Sequence, residues 1–187
     1  MSAVRSPSLT AIARTAWFVL GRTHPSLPRM FLRLVVPLSL LPPVMLYYAG
    51  TYHGDDFMPG FAARDWVSIA FIFLIAELAT VGAMGTVIRW VAKLNGHFAD
   101  RTSAYLLAFA APIPLWLSSL SLLVPNFIFA ACLGMLAFGF SCLVIYHGVS
   151  ALLKVKEDLV AGSIAFGIMA CGLLAWAMLL IIVIPIA

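Results

Sequence analysis

Two long apolar runs joined by almost nothing constrain this chain most. Residues 103–124 and 127–150 contain no Asp, Glu, Lys or Arg, and only Pro125-Asn126 separates them. Each run has the ~20 residues needed to cross ~30 Å of hydrocarbon. A transmembrane helical hairpin is the simplest outcome, because a helix satisfies its own backbone polar groups where no water can.

The rest of the chain agrees. Of its 187 residues 64% are hydrophobic and only 10% charged, with a mean hydropathy of +1.08. Soluble domains carry about 25% charged residues. The expected fold class is all-α, a polytopic membrane protein with five transmembrane helices and an N-terminal amphipathic interfacial helix. Spans are predicted over residues 34–50, 66–91, 103–124, 127–150 and 159–187. The expected organisation is a cytoplasmic basic amphipathic segment, 1–33, followed by a five-helix transmembrane domain, 34–187.

The segment 1–33 holds five arginines and no acid. Leu9, Ile12, Ala13, Ala16, Trp17 and Leu20 follow a helical apolar rhythm after Ser8, and Gly21 and Pro25 end it. A helix of this length is too short to span, and it suits the plane of the interface, on anionic headgroups. The first span carries Pro37, Pro42 and Pro43, and the third carries Pro112 and Pro114. Pro37, Pro42, Pro112 and Pro114 are therefore the expected kinks, since proline frees a carbonyl one turn back.

Charge sets the expected orientation. Ten of the eleven Lys and Arg fall on one side, in the N-terminal segment and around the 89–102 and 151–158 loops; Arg64 alone falls on the other. The positive-inside rule then places the N-terminus in the cytoplasm and the C-terminus outside. The net charge of +4 reflects these loops and not a nucleic-acid partner. Small residues at Ser163, Gly167, Cys171 and Ala175, and at the pairs Ala79/Ala83 and Gly82/Thr86, invite close backbone approach. That approach serves packing within the chain or a homo-oligomer seam.

Glu77 is the sharpest single residue. It lies 11 residues after Trp66, roughly 16 Å deep at ~1.5 Å per residue. A charged side chain at that depth costs about 2.5–3.5 kcal/mol on insertion scales, so it should be neutral, hydrogen-bonded or beside a wet cavity. Thr80 shares its face and Ser141 lies at similar depth. These intramembrane polar candidates fit a proton or ion site. With one acid and no basic partner at its level, a structural hydrogen bond to Thr80, a serine or a proline-freed carbonyl fits better.

Outside the spans, His53, Asp55 and Asp56 are weak candidates for a metal, beside an ordinary turn at Gly54 and Pro59-Gly60. No metal or cofactor is expected. Cys132, Cys142 and Cys171 all sit inside apolar runs with no zinc spacing. There is no phosphate-binding glycine loop and no HExxH, and Ser141 has no His or Asp at its depth, so an enzyme is not expected.

Tyr105, Ala108, Pro112 and Trp116-Leu117 precede Pro125, and Gly134 and Tyr146-His147-Gly148 follow it before a short basic loop. Together with VPLSLLP in the first span and the arginine-rich N-terminus, this pattern resembles the Yip1 family, in particular its small bacterial branch of inner-membrane proteins. The resemblance runs from about residue 30 onward. It implies five spans with a cytoplasmic N-terminus and offers no catalytic residues. Eukaryotic members act in vesicle trafficking and contact Rab-type GTPases, whereas the cytoplasmic face here would be only ~30 residues and two loops. The first functional expectation is a non-enzymatic membrane protein that organises membrane or binds a membrane-protein partner through its basic face. The second is a small transporter or channel, for protons, ions or lipid, that uses Glu77.

Overall fold

A computed structural model of the chain describes residues 26–57 and 59–183, with side chains to residue 181. The expected interfacial helix over residues 8–20 lies outside the described residues. Among the described residues five helices are long and apolar enough to cross a membrane: α1 (Leu27–Phe57), α2 (Trp66–Leu94), α3 (Arg101–Leu123), α4 (Phe127–Leu152) and α5 (Asp158–Val183).

Sequence chemistry sets the ends of α2 to α4. Asp65 caps α2 by accepting from the Ser68 amide, Asp100 caps α3 from Thr102 and Ser103, and Asn126 caps α4 from Phe129. These side chains occupy amides that have no partner inside the helix. At the far end of α2 the His97 amide donates to Ala92 and the Gly96 amide to Lys93, with Gly96 at φ +73°. This paired closure needs a left-handed residue, which glycine adopts without strain.

The expected first span is corrected. Its helix begins seven residues earlier, at Leu27, and continues through Tyr52 and His53 to Phe57. The 33/34 boundary falls inside it, and so do Asp55 and Asp56. The prolines do not end the helix because the chain breaks it locally. A π-helical turn covers Phe31–Val35 just before Pro37, and a turn at Leu40, still right-handed at φ −75° and ψ −21°, interrupts the helix before Pro42 and Pro43. Ser39 helps, donating its hydroxyl to the Val36 carbonyl at 3.1 Å. The backbone distorts again at His53 (φ −134°, ψ 16°).

α3 breaks in the same way. Its first helical piece ends at Ala110, Pro112 starts a second that runs Ile113–Ser118 with Pro114 in its first turn, and a 3-10 turn covers Ser119–Leu123. Ser118 and Ser119 donate to the carbonyls of Leu115 (2.8 Å) and Trp116 (2.6 Å). The serines thus serve the distorted backbone, as polar groups in lipid must.

α2 packs against α1, α3 and α5, and α4 closes a ring by packing on α3 and α5. The ring is not evenly filled. Ile88, Val91 and Ala92 of α2, Leu107 of α3, Val149 of α4 and Ile164 of α5 form one core at the end bearing the 95–100 and 153–157 loops. Among the described residues seven Lys and Arg make this the basic end: Arg29 and Arg33 near the start of α1, Arg89 and Lys93 on α2, Arg101 on α3, and Lys154 and Lys156 between α4 and α5. At the opposite end no residue of α4 from Phe127 to Leu136 is buried, and none of α5 from Met169 to Ile181. α4 and α5 are closed into the bundle at one end and splayed from it at the other, where α1 to α3 stay packed, with Gly50, Trp66 and Ser121 buried.

The small-residue stripes divide accordingly. Ser163 donates to Asn95 at 2.7 Å, and a Cβ added to Gly167 would lie 2.8 Å from Val91, so this part of the stripe seats α5 on α2 within the chain. Ala79, Ala83 and Thr86 are exposed, and Gly82 has open space beside it.

Candidate functional site

The helical repeat puts Phe73, Glu77, Val81, Gly85 and Ile88 on the buried face of α2. Glu77 therefore points into the ring and is only 5% exposed. Its Oε1 accepts a hydrogen bond from the indole N–H of Trp116, itself 2% exposed. Trp116 enters the ring because the proline-broken α3 turns it inward at its second piece. Sequence reading placed Trp116 within a family pattern but did not pair it with Glu77. A tryptophan inside a span needs an acceptor for its N–H, and Glu77 is the single carboxylate deep within a span, Asp55, Asp56 and Asp158 lying at helix ends. That argument would have found the pair.

The expected partners of Glu77 are elsewhere. Thr80 donates to the Ala76 carbonyl of its own helix at 2.7 Å. Ser141 of α4 is 4% exposed and its Oγ has no hydrogen-bond partner. Glu77 Oε2 is likewise buried with no partner. Among the described residues these two oxygens are the buried side-chain polar atoms left without one. Native proteins rarely leave such atoms unpaired, and each calls for a water, an ion or a ligand.

Both atoms belong to residues that line one cavity of about 320 Å³. All five spans contribute to it: Pro42 from α1, Glu77 from α2, Trp116 from α3, Ser141 from α4 and Gly172 from α5. Its volume is at the lower end of the ~300–1,000 Å³ of small-molecule sites. The rest of the wall is mostly apolar but includes Thr80, Ser118, Ser119 and Ser121, and Glu77 is the single Asp, Glu, Lys or Arg in it. The cavity stops at Ile88, Ile145 and Ile168 on the side of the core and reaches Leu122, Ala130 and Leu180 toward the splayed end. Between α4 and α5 its wall includes Phe138 and Trp176, stacked with ring centroids 6.2 Å apart.

The loop residues do not form a comparable site. His53 pairs with Asp56 at 3.3 Å, while Asp55 accepts from the amides of Gly60 (2.9 Å) and Ala62 (3.3 Å). Asp55 thus fastens the turn instead of joining the other two. Among the described residues no three His, Cys, Asp or Glu side chains converge as metal ligands would. The three cysteines are unpaired.

Comparison with known proteins adds the family. The model of the Yip1 domain matches residues 2–179, nearly the entire chain and the basic N-terminal segment with it. The chain belongs to the Yip1 family. This Yip1 protein is 26% identical over 147 residues to the inner membrane protein YohC of Escherichia coli K12, covering 75% of this chain and 74% of YohC. The YohC of Escherichia coli O6:H1 matches to the same extent. No solved structure gives a significant match.

Proposed function

We propose that this Yip1 protein is a non-enzymatic inner-membrane protein that takes an amphiphile from the bilayer into the cavity between its spans. One observation carries this reading: Glu77 and Ser141, each with a buried oxygen that has no hydrogen-bond partner, line the same mostly apolar cavity. An ion or proton path through the molecule is favoured less. The cavity ends against the packed core, and no polar residue of the basic end lines it. Proteoliposomes test the choice. Proton and ion leak should equal that of protein-free vesicles for wild type and for Glu77→Gln. A leak that depends on Glu77 would establish a channel and remove the binding reading.

A second reading is favoured by charge. Arg89, Lys93, Arg101, Lys154 and Lys156 are exposed around the closed end, on a rigid core suited to holding anionic headgroups or a partner. Each basic residue near an anionic surface contributes about 1 kcal/mol. This reading needs the basic end in the cytoplasm. Cysteines placed at Asn126 and Lys156 in a variant lacking Cys132, Cys142 and Cys171 test it. An impermeant maleimide added to intact cells should label the first and spare the second.

A further inference from the structure

We propose that the cavity receives an uncharged acylglycerol. Its free hydroxyl would pair with Glu77 Oε2 and an ester carbonyl would accept from Ser141 Oγ. This names the ligand class of the binding reading above and rests on it.

The chemistry of the walls selects the class. The two unpartnered atoms are oxygens on opposite members of the four-helix ring, α2 and α4, so the ligand needs more than one polar atom at its inner end. No lysine or arginine lines the cavity. A phosphate or free carboxylate would therefore enter beside a carboxyl group with no cation to balance it. A phospholipid headgroup would also carry its charge to the membrane interior, which is costly. An acylglycerol brings a hydroxyl and ester carbonyls to that depth with no formal charge. Its hydroxyl can donate or accept, and its carbonyl matches the O–H that Ser141 leaves unused.

The route is set by the splay. Along α4 from Phe127 to Leu136, and along α5 from Met169 to Ile181, nothing is buried, so these segments meet lipid on their outer side while Ala130 and Leu180 line the cavity. Acyl chains can stay in the bilayer between α4 and α5 while the glycerol end passes the Phe138–Trp176 pair. A cavity of about 320 Å³ then has to enclose only the polar end and the first part of a chain.

The test uses the full-length protein in nanodiscs and three diazirine-labelled probes: 1,2-diacylglycerol, its 3-O-methyl ether and phosphatidic acid. In wild type the diacylglycerol should crosslink to cavity residues of α4 and α5, and each of the other two about tenfold less, the effect of leaving a buried polar atom unpaired. Ser141→Ala should weaken diacylglycerol labelling, and Glu77→Leu should erase the difference between the alcohol and its methyl ether. Ser141→Cys provides the same test should Ser141→Ala fail to accumulate. Equal labelling of cavity residues by all three probes would overturn the acylglycerol assignment and leave amphiphile binding standing. An absence of labelling in the cavity by any probe would overturn both.

Discussion

The indole N–H of Trp116 donates to Glu77 Oε1 across 39 positions of chain, and it joins α3 to α2 inside the membrane. A proline-broken helix supplies the donor and a regular helix the acceptor, so the bond fixes how the two spans face each other. Glu77 is held by one oxygen only. The other is buried without a partner, on a residue that lines the cavity.

Trp116→Phe tests the structural half. It removes the donor and leaves Oε1 buried and unpaired, which should lower stability by about 1–2 kcal/mol. In a detergent melt this amounts to ~2–4 °C for each kcal/mol in a chain of this size. Adding Glu77→Leu removes the orphaned acceptor as well. The double variant should recover most of the loss, because removing both partners costs less than removing one. Additive losses would show that the two residues contribute separately.

The limits of α2 to α4 and the start of α5 were legible in the sequence to within about three residues, because each is a long apolar run bounded by a capping residue or a polar loop. Only the first span misled. Its basic start at Arg29 and Arg33 and its polar end at His53, Asp55 and Asp56 read as boundaries, yet the helix runs past both, and its prolines, read as kinks, lie beside the π-helical turn and the break at Leu40. Glu77 stood out because a carboxylate amid 26 apolar-run residues is conspicuous. Its partner did not, since a hydrogen bond between spans leaves no periodic trace. The cavity is still less visible in sequence. It arises from the splay of α4 and α5, and the hydrophobic residues on its walls look the same as those in a packed core.

Glycine substitutions separate close packing from open surface. A Cβ at Gly85 would meet the Tyr105 ring at 2.5 Å, and one at Gly50 would overlap the Trp66 ring. Neither ring can retreat freely: Tyr105 lies against Phe109, and the Trp66 N–H is held by the Phe61 carbonyl at 2.7 Å. Gly85→Ala and Gly50→Ala should each destabilise by about 1–3 kcal/mol. Gly82→Ala meets nothing within 4 Å and should be neutral or stabilise by up to about 1 kcal/mol. Melting temperatures of the three variants beside wild type provide the check.

Asp65 gives the first turn of α2 a pH dependence. The Ser68 hydroxyl (2.5 Å) and amide (3.2 Å) hold its carboxyl below the ordinary 3.8. A carboxyl whose pKa is depressed by folding stabilises above its unfolded pKa, and the contribution fades as pH falls through the folded value. Asp65→Ala should therefore melt below wild type at neutral pH. The gap should persist down to about pH 4 and close only under more acid conditions. A gap unchanged by acid would mean that the carboxylate form is not what holds the turn.

Filling the cavity should separate stability from binding. Gly172 of α5 lines the cavity and a Cβ there meets nothing within 4 Å. Gly172→Leu should place its side chain in that space, raising stability by about 0.5–2 kcal/mol, as filling a void commonly does. The same side chain would take the room a ligand needs, so lipid retained through purification, read by native mass spectrometry, should fall. Gly139 of α4 is the control: it is exposed, has open space beside it and does not line the cavity. Gly139→Leu should leave retention as in wild type. If both variants retain lipid equally, the bound lipid lies on the outer surface of the bundle. If only Gly172→Leu loses it while melting no lower than wild type, the cavity is where the lipid sits, since unfolding cannot account for the loss.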